Sequence, residues 1–257
     1  MTQPRLYIVT GKGGVGKTTI AQSLTQHLID EGVDAFYSPF DQSPPDHELP
    51  TFFSTPEQSS EIYIGLKLNS PVVAKWIMKA PFFKSLFHVL PSLGQMILLG
   101  HIIKELEDNP NKVIVLDSPS SGHAKSMLSS LKNFKEIFKL GVLVQDIDRM
   151  MSFFHQPGNV KAIVTSIPTA MSLEEGKELN NFIKDFGISD SDFILNNYLE
   201  TSFKEKEAPE FLTEKIKLEK EVLSNFENDI AHTLPQIFSK SHTEVLQKIH
   251  ASVRTLA

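Results

Sequence analysis

The sequence predicts an α/β fold: a doubly wound, mostly parallel sheet flanked by helices, with a small helical insertion. Three observations lead there. Short apolar runs recur between helix-compatible stretches, which is the alternation of a parallel sheet. Two of those runs, 113–116 (VIVL) and 162–164 (AIV), are apolar without alternation, as expected of strands covered on both faces. A glycine-rich turn joins the first run directly to the first helical stretch. At 257 residues the chain can bury a substantial core. It is most economically one domain over 1–257, with a helical subdomain inserted at 71–106.

Taken in order, strands are predicted at 6–10, 35–38, 112–117, 160–166 and 192–196, with a weak one near 231–234. The first helix runs from Thr18 to about Glu31. Residues 41–70 are rich in Pro, Ser and Thr and are predicted to be a long loop. In 71–106, Leu93, Met96, Ile97 and Ile103 share one helical spacing while Leu98, Leu99 and Ile102 build a second apolar face. A helix apolar most of the way round is either wedged between neighbours or kept for a partner. A later helix is predicted at 172–186. Ser172 and Glu175 form a capping box there, and Leu179, Phe182, Ile183 and Phe186 lie on one face.

The segment 11–19 reads GKGGVGKTT. Gly11, Gly16, Lys17 and Thr18 fill every fixed position of G-x-x-x-x-G-K-[ST]. Between a strand and a helix, such a turn lets the backbone N–H groups of Gly13, Gly14, Val15, Gly16 and Thr19 wrap a polyphosphate, and the helix N-terminus adds positive potential. Lys17 is placed to neutralise the β- and γ-phosphates, and the Thr18 hydroxyl to ligate Mg²⁺. Gly11, Gly13 and Gly16 also satisfy G-x-G-x-x-G, with Asp41 near the place of a ribose-binding acid. A dinucleotide site, however, has no use for a lysine and two hydroxyls directly after the third glycine. The motif therefore predicts a nucleoside triphosphate with metal.

Other candidates gather around this loop. Lys12 is a second lysine that an ordinary phosphate loop does not need; it serves its own phosphates or projects toward a neighbouring subunit. Asp117 ends an apolar run at the carboxyl edge of a buried strand, where it can hold Mg²⁺ directly or through water. Asp41, just after the second strand, is the candidate for orienting the hydrolytic water. The segment 118–123 (SPSSGH) is predicted to be a mobile loop that orders on ATP. Asn196 and Asn197 close a strand where an amide can read an adenine edge or simply make a turn.

Composition narrows the function classes. The chain has no cysteine, which excludes disulfides, thiolate zinc sites and thiol nucleophiles within it. Its nine histidines show no H-x-x-x-H spacing, so a transition-metal site is not expected. A net charge of −6 without a dense basic block does not predict nucleic acid binding. The stretch 85–103 is uncharged, but His88, Pro91, Ser92, Gln95 and His101 interrupt it, so no membrane span is expected. With no signal-like N-terminus, the expected location is the cytoplasm.

With Lys12 included, KGGVGKTT resembles the deviant phosphate loop of the MinD/ParA/arsenical-pump class of P-loop ATPases. Three further features favour the arsenical-pump ATPase and its relative, the guided-entry ATPase for tail-anchored membrane proteins. Asp117, Gly122 and His123 match that family's D-T-A-P-T-G-H switch, with the middle altered. The run 164–175 is similar to the strand–loop–helix that follows it. Asn197 falls where the family places its adenine-binding asparagine.

The resemblance implies an ATP- and Mg²⁺-dependent homodimer that acts on a protein partner or client. In it Lys12 reaches the other subunit's nucleotide, Asp41 positions water, and Asp117 belongs to the metal and switch region. Several departures matter. The family's first switch usually reads D-P-A followed by a polar residue, whereas here it is Asp41-Gln42-Ser43-Pro44. The metalloid-binding cysteines and the C-x-x-C zinc clasp of the family are absent. The stretch between the switch and the 160s strand is short, leaving 71–106, with Met150, Met151, Phe153 and Phe154, to supply an apolar client surface. The alternative is a MinD- or ParA-like positioning ATPase acting on a membrane or DNA surface. A small-molecule kinase or ligase on the same scaffold would need a polar pocket that 41–70 does not supply.

Overall fold

The computed structural model describes residues 3–40, 48–81, 91–139, 141–203, 208–239 and 241–257. Six strands form one parallel sheet: β1 Leu6–Gly11, β2 Asp34–Pro39, β3 Lys112–Ser120, β4 Val160–Ser166, β5 Asp190–Tyr198 and β6 His232–Pro235, in the order β2-β3-β1-β4-β5-β6. Each predicted strand is present. The helices are α1 Lys17–Asp30, α2 Pro56–Leu68, α3 Pro71–Lys79, α4 Pro91–Asp108, α5 Ser121–Phe138, α6 Val142–His155, α7 Ala170–Phe186, the single turn α8 Leu199–Ser202, α9 Glu210–Leu223 and α10 His242–Val253.

Strand periodicity builds two cores, one on each side of the sheet. On β1, Leu6 and Ile8 join Ile114, Leu116, Ala162, Val164, Phe193 and Leu195 beneath α4 to α7. Tyr7 and Val9 point the other way, with Val113, Val115, Ile163 and Ile194, beneath α1 and α10. Central strands must therefore be apolar at consecutive positions, which is why 113–116 and 162–164 do not alternate. The chain winds from β1 to β2 and β3 on one side, then to β4, β5 and β6 on the other. The carboxyl end of β1 is thus the switch point of the sheet, where open parallel sheets leave a crevice.

Four expectations are corrected. Part of 41–70 is helical: α2 starts with Pro56 at its first position, behind a capping box in which Gln58 N donates to Thr55 Oγ1 at 3.1 Å and Thr55 N donates to Gln58 Oε1 at 3.0 Å. Its sparse apolar pattern hides it from periodicity, whereas the cap is plain in T-P-E-Q. The Ser172–Glu175 capping box does not form; Ser172 Oγ accepts from Ile167 N at 3.2 Å, and Glu175 turns elsewhere. Residues 118–120 continue β3, and 121–123 are the first turn of α5 rather than a loop. Met150, Phe153 and Phe154 are buried core residues, and Met151 packs partly buried beside them.

Both faces of α4 are satisfied internally: Leu93, Met96, Leu98, Leu99, Ile102, Ile103 and Leu106 are all buried. Exposed apolar side chains cluster instead on α2 and α3, at Ile62, Leu66, Leu68, Val72, Val73 and Trp76; others stand apart at Ile137, Met171, Phe211, Leu218 and Phe238. Among the described residues no helix is long and apolar enough to cross a membrane. Part of 85–103 lies outside them.

Candidate functional site

The loop between β1 and α1 occupies the switch point. Gly11, with φ +144°, runs so close to β4 that a Cβ there would stand 2.2 Å from the Thr165 carbonyl oxygen. Gly14 and Gly16 take φ +81° and +92°, conformations that bend the chain back over the end of β1. Gly13 and Gly14 are exposed and Val15 is buried beneath them. Gly16 precedes α1 without a side-chain cap, so the N–H groups of Lys17, Thr18 and Thr19 stand at an uncapped helix start. The loop thus sits at the positive end of a 14-residue helix that has no side-chain cap.

Two side chains from other strands, Asp117 and Asn196, touch this loop, and a third, Tyr37, backs Asp117. Asp117, on β3 and with no exposure, accepts from Thr18 Oγ1 at 2.7 Å and from Tyr37 Oη at 2.9 Å, both on Oδ2. Its Oδ1 has no hydrogen-bond partner among the described residues. Burial raises the Asp117 pKa, opposed by the Thr18 and Tyr37 hydrogen bonds and by the Lys17 charge. Burial lowers the Lys17 pKa, opposed by Asp117, and its Nζ donates to the Lys12 carbonyl at 3.0 Å. Asn196, at the end of β5, donates from Nδ2 to the Val15 carbonyl at 2.9 Å, and a Cβ on Gly16 would meet that nitrogen at 2.4 Å. It ties the loop to β5.

Lys12 is engaged within its own chain. Its Nζ lies 3.0 Å from Glu175 Oε2 on α7, and the other Glu175 oxygen accepts from Ser121 at the start of α5. The Ser121 hydrogen bond, then Lys12, hold the Glu175 pKa below the ordinary carboxylate range.

Of the residues singled out from sequence, Gly11 through Thr19 are contiguous at the switch point and Asp117 is joined to Thr18. Asn197 sits one residue beyond Asn196 with φ 58°, partly buried; its neighbour, not Asn197, touches the loop. Gly122 and His123 are exposed on α5. Asp41 lies outside the described residues. Sequence inspection did not single out Tyr37, Glu175 or Ser121 as site residues. A buried tyrosine hydroxyl needs a partner, which is the one signal Tyr37 offered. An apolar groove of about 420 Å³ between α2, α4 and α6 is lined by Ile62, Leu66, Met96, Ile97, Leu143 and Met150 and by none of the loop residues.

Hard cations take oxygen ligands, and a hydroxyl beside a buried carboxylate fits that demand. Thr18 donates its proton inward to Asp117, which leaves its oxygen lone pairs for a cation.

The chain is 24% identical over 276 residues to a protein of Aquifex aeolicus provisionally named arsenical pump-driving ATPase 2, covering 87% of this chain and 89% of the relative. It resembles that kind of ATPase. A second Aquifex protein, provisionally named arsenical pump-driving ATPase 1, is 23% identical, covering 87% of this chain and 71% of its own length. The ATPase BagA of Mycobacterium tuberculosis is 25% identical over 208 residues, 68% of this chain and 61% of that protein. No protein-family model matches the chain.

Proposed function

We propose that this chain is a Mg²⁺-dependent ATPase of the arsenical-pump and guided-entry type, whose nucleotide cycle pairs two copies and binds and releases a protein partner. The observation that carries this reading is the 2.7 Å hydrogen bond from Thr18 to Asp117 beneath the glycine-rich loop. It brings the two metal-seeking oxygens together at a site already lined with backbone N–H donors and Lys17.

In this reading the backbone of 13–19 cradles the phosphates, and Lys17 leaves the Lys12 carbonyl to meet them. Thr18 and Asp117 hold Mg²⁺, which when bound neutralises charge on the β- and γ-phosphates. Asp41 orients the attacking water and Asn197 contacts the base, both by resemblance. Lys12 has to leave Glu175 before it can act on a nucleotide, its own or a partner's. The exposed apolar residues of α2 and α3 support contact with a protein. The absence of cysteine leaves no thiolate site for a metalloid.

Turnover and binding of ATP in wild type and in Lys17→Ala test the enzyme reading. Phosphate release that needs Mg²⁺ and falls about 100-fold or more in Lys17→Ala is expected, because one preorganised charge on the transferring group is lost. Equal turnover in the two proteins sinks it. For the partner, Asp41→Asn loaded with Mg-ATP should retain specific proteins from soluble and detergent-extracted fractions; retention that ignores nucleotide counts against a nucleotide-driven switch.

A further inference from the structure

The second hydrogen bond on Asp117 comes from an unusual place. Tyr37 lies in the middle of β2, and its ring belongs to the core beneath α1 and α10. In the parallel register Pro39 stands beside Asp117, so Tyr37 is two residues back on the same face. Only a side chain as long as tyrosine reaches forward to the carboxylate. A leucine or phenylalanine would fill the core equally well and would leave Asp117 with Thr18 alone.

Tyr37 is itself held. Gln22, on α1 one turn beyond Thr18, is buried near the Tyr37 hydroxyl, where its amide opposes the rise that burial and Asp117 impose on the tyrosine's pKa. The Gln22 Oε1 atom lies 2.9 Å from His242 Nε2 at the start of α10, on the exposed side of the same layer. The line runs from His242 N–H, which donates to Gln22 Oε1, past the Gln22 amide to Tyr37 O–H, which donates to Asp117 Oδ2. Both donors to Asp117 fall on Oδ2, while Oδ1 stays without a partner among the described residues.

We propose that Tyr37 is a positioning residue for Asp117, with the buried Gln22 amide packed near its hydroxyl, so that the carboxylate is already oriented for the metal before nucleotide arrives. This rests on the metal–nucleotide reading above. Pinning Oδ2 from two sides fixes the plane of the carboxylate and leaves its other oxygen for the cation or a water bound to it. Orienting it beforehand removes an ordering cost from metal binding. The line also ties α10 to the site through side chains alone.

The test uses the full-length protein with Mn²⁺ as the metal and a non-hydrolysable ATP analogue as the nucleotide, reading free Mn²⁺ by electron paramagnetic resonance. Tyr37→Phe is expected to weaken Mn²⁺ binding about tenfold, the loss of one charge-assisted hydrogen bond, while metal-free nucleotide affinity stays at the wild-type value. Gln22→Leu, one step further away, is expected to weaken it about threefold. In an Asp117→Asn background, Tyr37→Phe should cost nothing more, because the tyrosine acts only through the carboxylate. Equal Mn²⁺ affinity in wild type and Tyr37→Phe overturns the positioning role. The same loss with Asp117→Asn already present also overturns it, since a general packing defect would behave that way. Failure of wild type to bind Mn²⁺ with the nucleotide overturns the metal–nucleotide reading itself.

Discussion

The glycines of the loop are not equivalent. At Gly11 a methyl group would stand 2.2 Å from a main-chain oxygen of β4, and neither central strand can move away. Gly11→Ala is therefore expected to destabilise the chain by at least about 3 kcal/mol, through clash and a positive φ together. At Gly13 a Cβ meets nothing within 4 Å, and Gly13→Ala should stay within about 0.5 kcal/mol of wild type. Thermal unfolding of the two variants checks this contrast; equal melting temperatures would mean that the loop does not press on β4. Residue-level legibility follows the same division. Gly11, Gly16, Lys17 and Thr18 were readable because a phosphate loop demands those residue types at that spacing. Glu175 was misread as a helix cap because Ser172-x-x-Glu175 satisfies that local pattern, and only the fold brings Lys12 and Ser121 within its reach.

At the scale of elements, α2 is fastened to α4 by polar contacts rather than by a wide apolar seam. Ser59 Oγ lies 3.0 Å from His101 Nδ1, Ser54 and Ser59 share a hydrogen bond of 2.8 Å, and the Phe52 ring stands edge-on to the imidazole at 5.4 Å. Burial pushes the His101 pKa below its ordinary value, against the nearby charge of Glu105. The folded state therefore binds a proton less readily than the unfolded chain. The stability of this contact is complete above about pH 6.5 and declines as pH falls below it, because unfolding then takes up the proton. The melting temperature of wild type should drop from pH 7.5 to pH 5.5 more steeply than that of His101→Gln; parallel curves would show that His101 carries none of the dependence. The six strands were legible because apolar runs of the right length leave few alternatives. The helix α2 was not, since Thr55, Ser59 and Ser60 at its cap and start blur any apolar face, and its packing is decided by partners 42 and 83 residues away.

For the whole molecule, the contact between Lys12 and Glu175 is what Lys12 would have to break to take part in the proposed dimer. The pair is partly exposed, so its worth is modest: about 0–1 kcal/mol. Because the Glu175 pKa is lowered, the pairing is fully present above the ordinary carboxylate range and is lost only as pH falls through it. With Mg-ATP, Asp41→Asn is expected to sediment as a dimer, whereas adding Lys12→Ala should keep it a single chain. Adding Glu175→Gln, which frees the lysine, should give the dimer at about two- to fivefold lower nucleotide concentration. If all three variants sediment alike at every nucleotide concentration, Lys12 has no part in assembly and Glu175 does not restrain it.

The sequence alone determined the parallel α/β class, the order of strands along the chain and the phosphate-type loop. Each depends on residue types and spacings within a few positions of one another. The tertiary structure decided which side chains converge on that loop. Asp117 meets Thr18 across 99 positions, Asn196 meets Val15 across 181, and His242 meets Gln22 across 220. Such partners are chosen by which strands lie side by side, and adjacency in the β2-β3-β1-β4-β5-β6 sheet is set by two cores packing at once rather than by any local pattern.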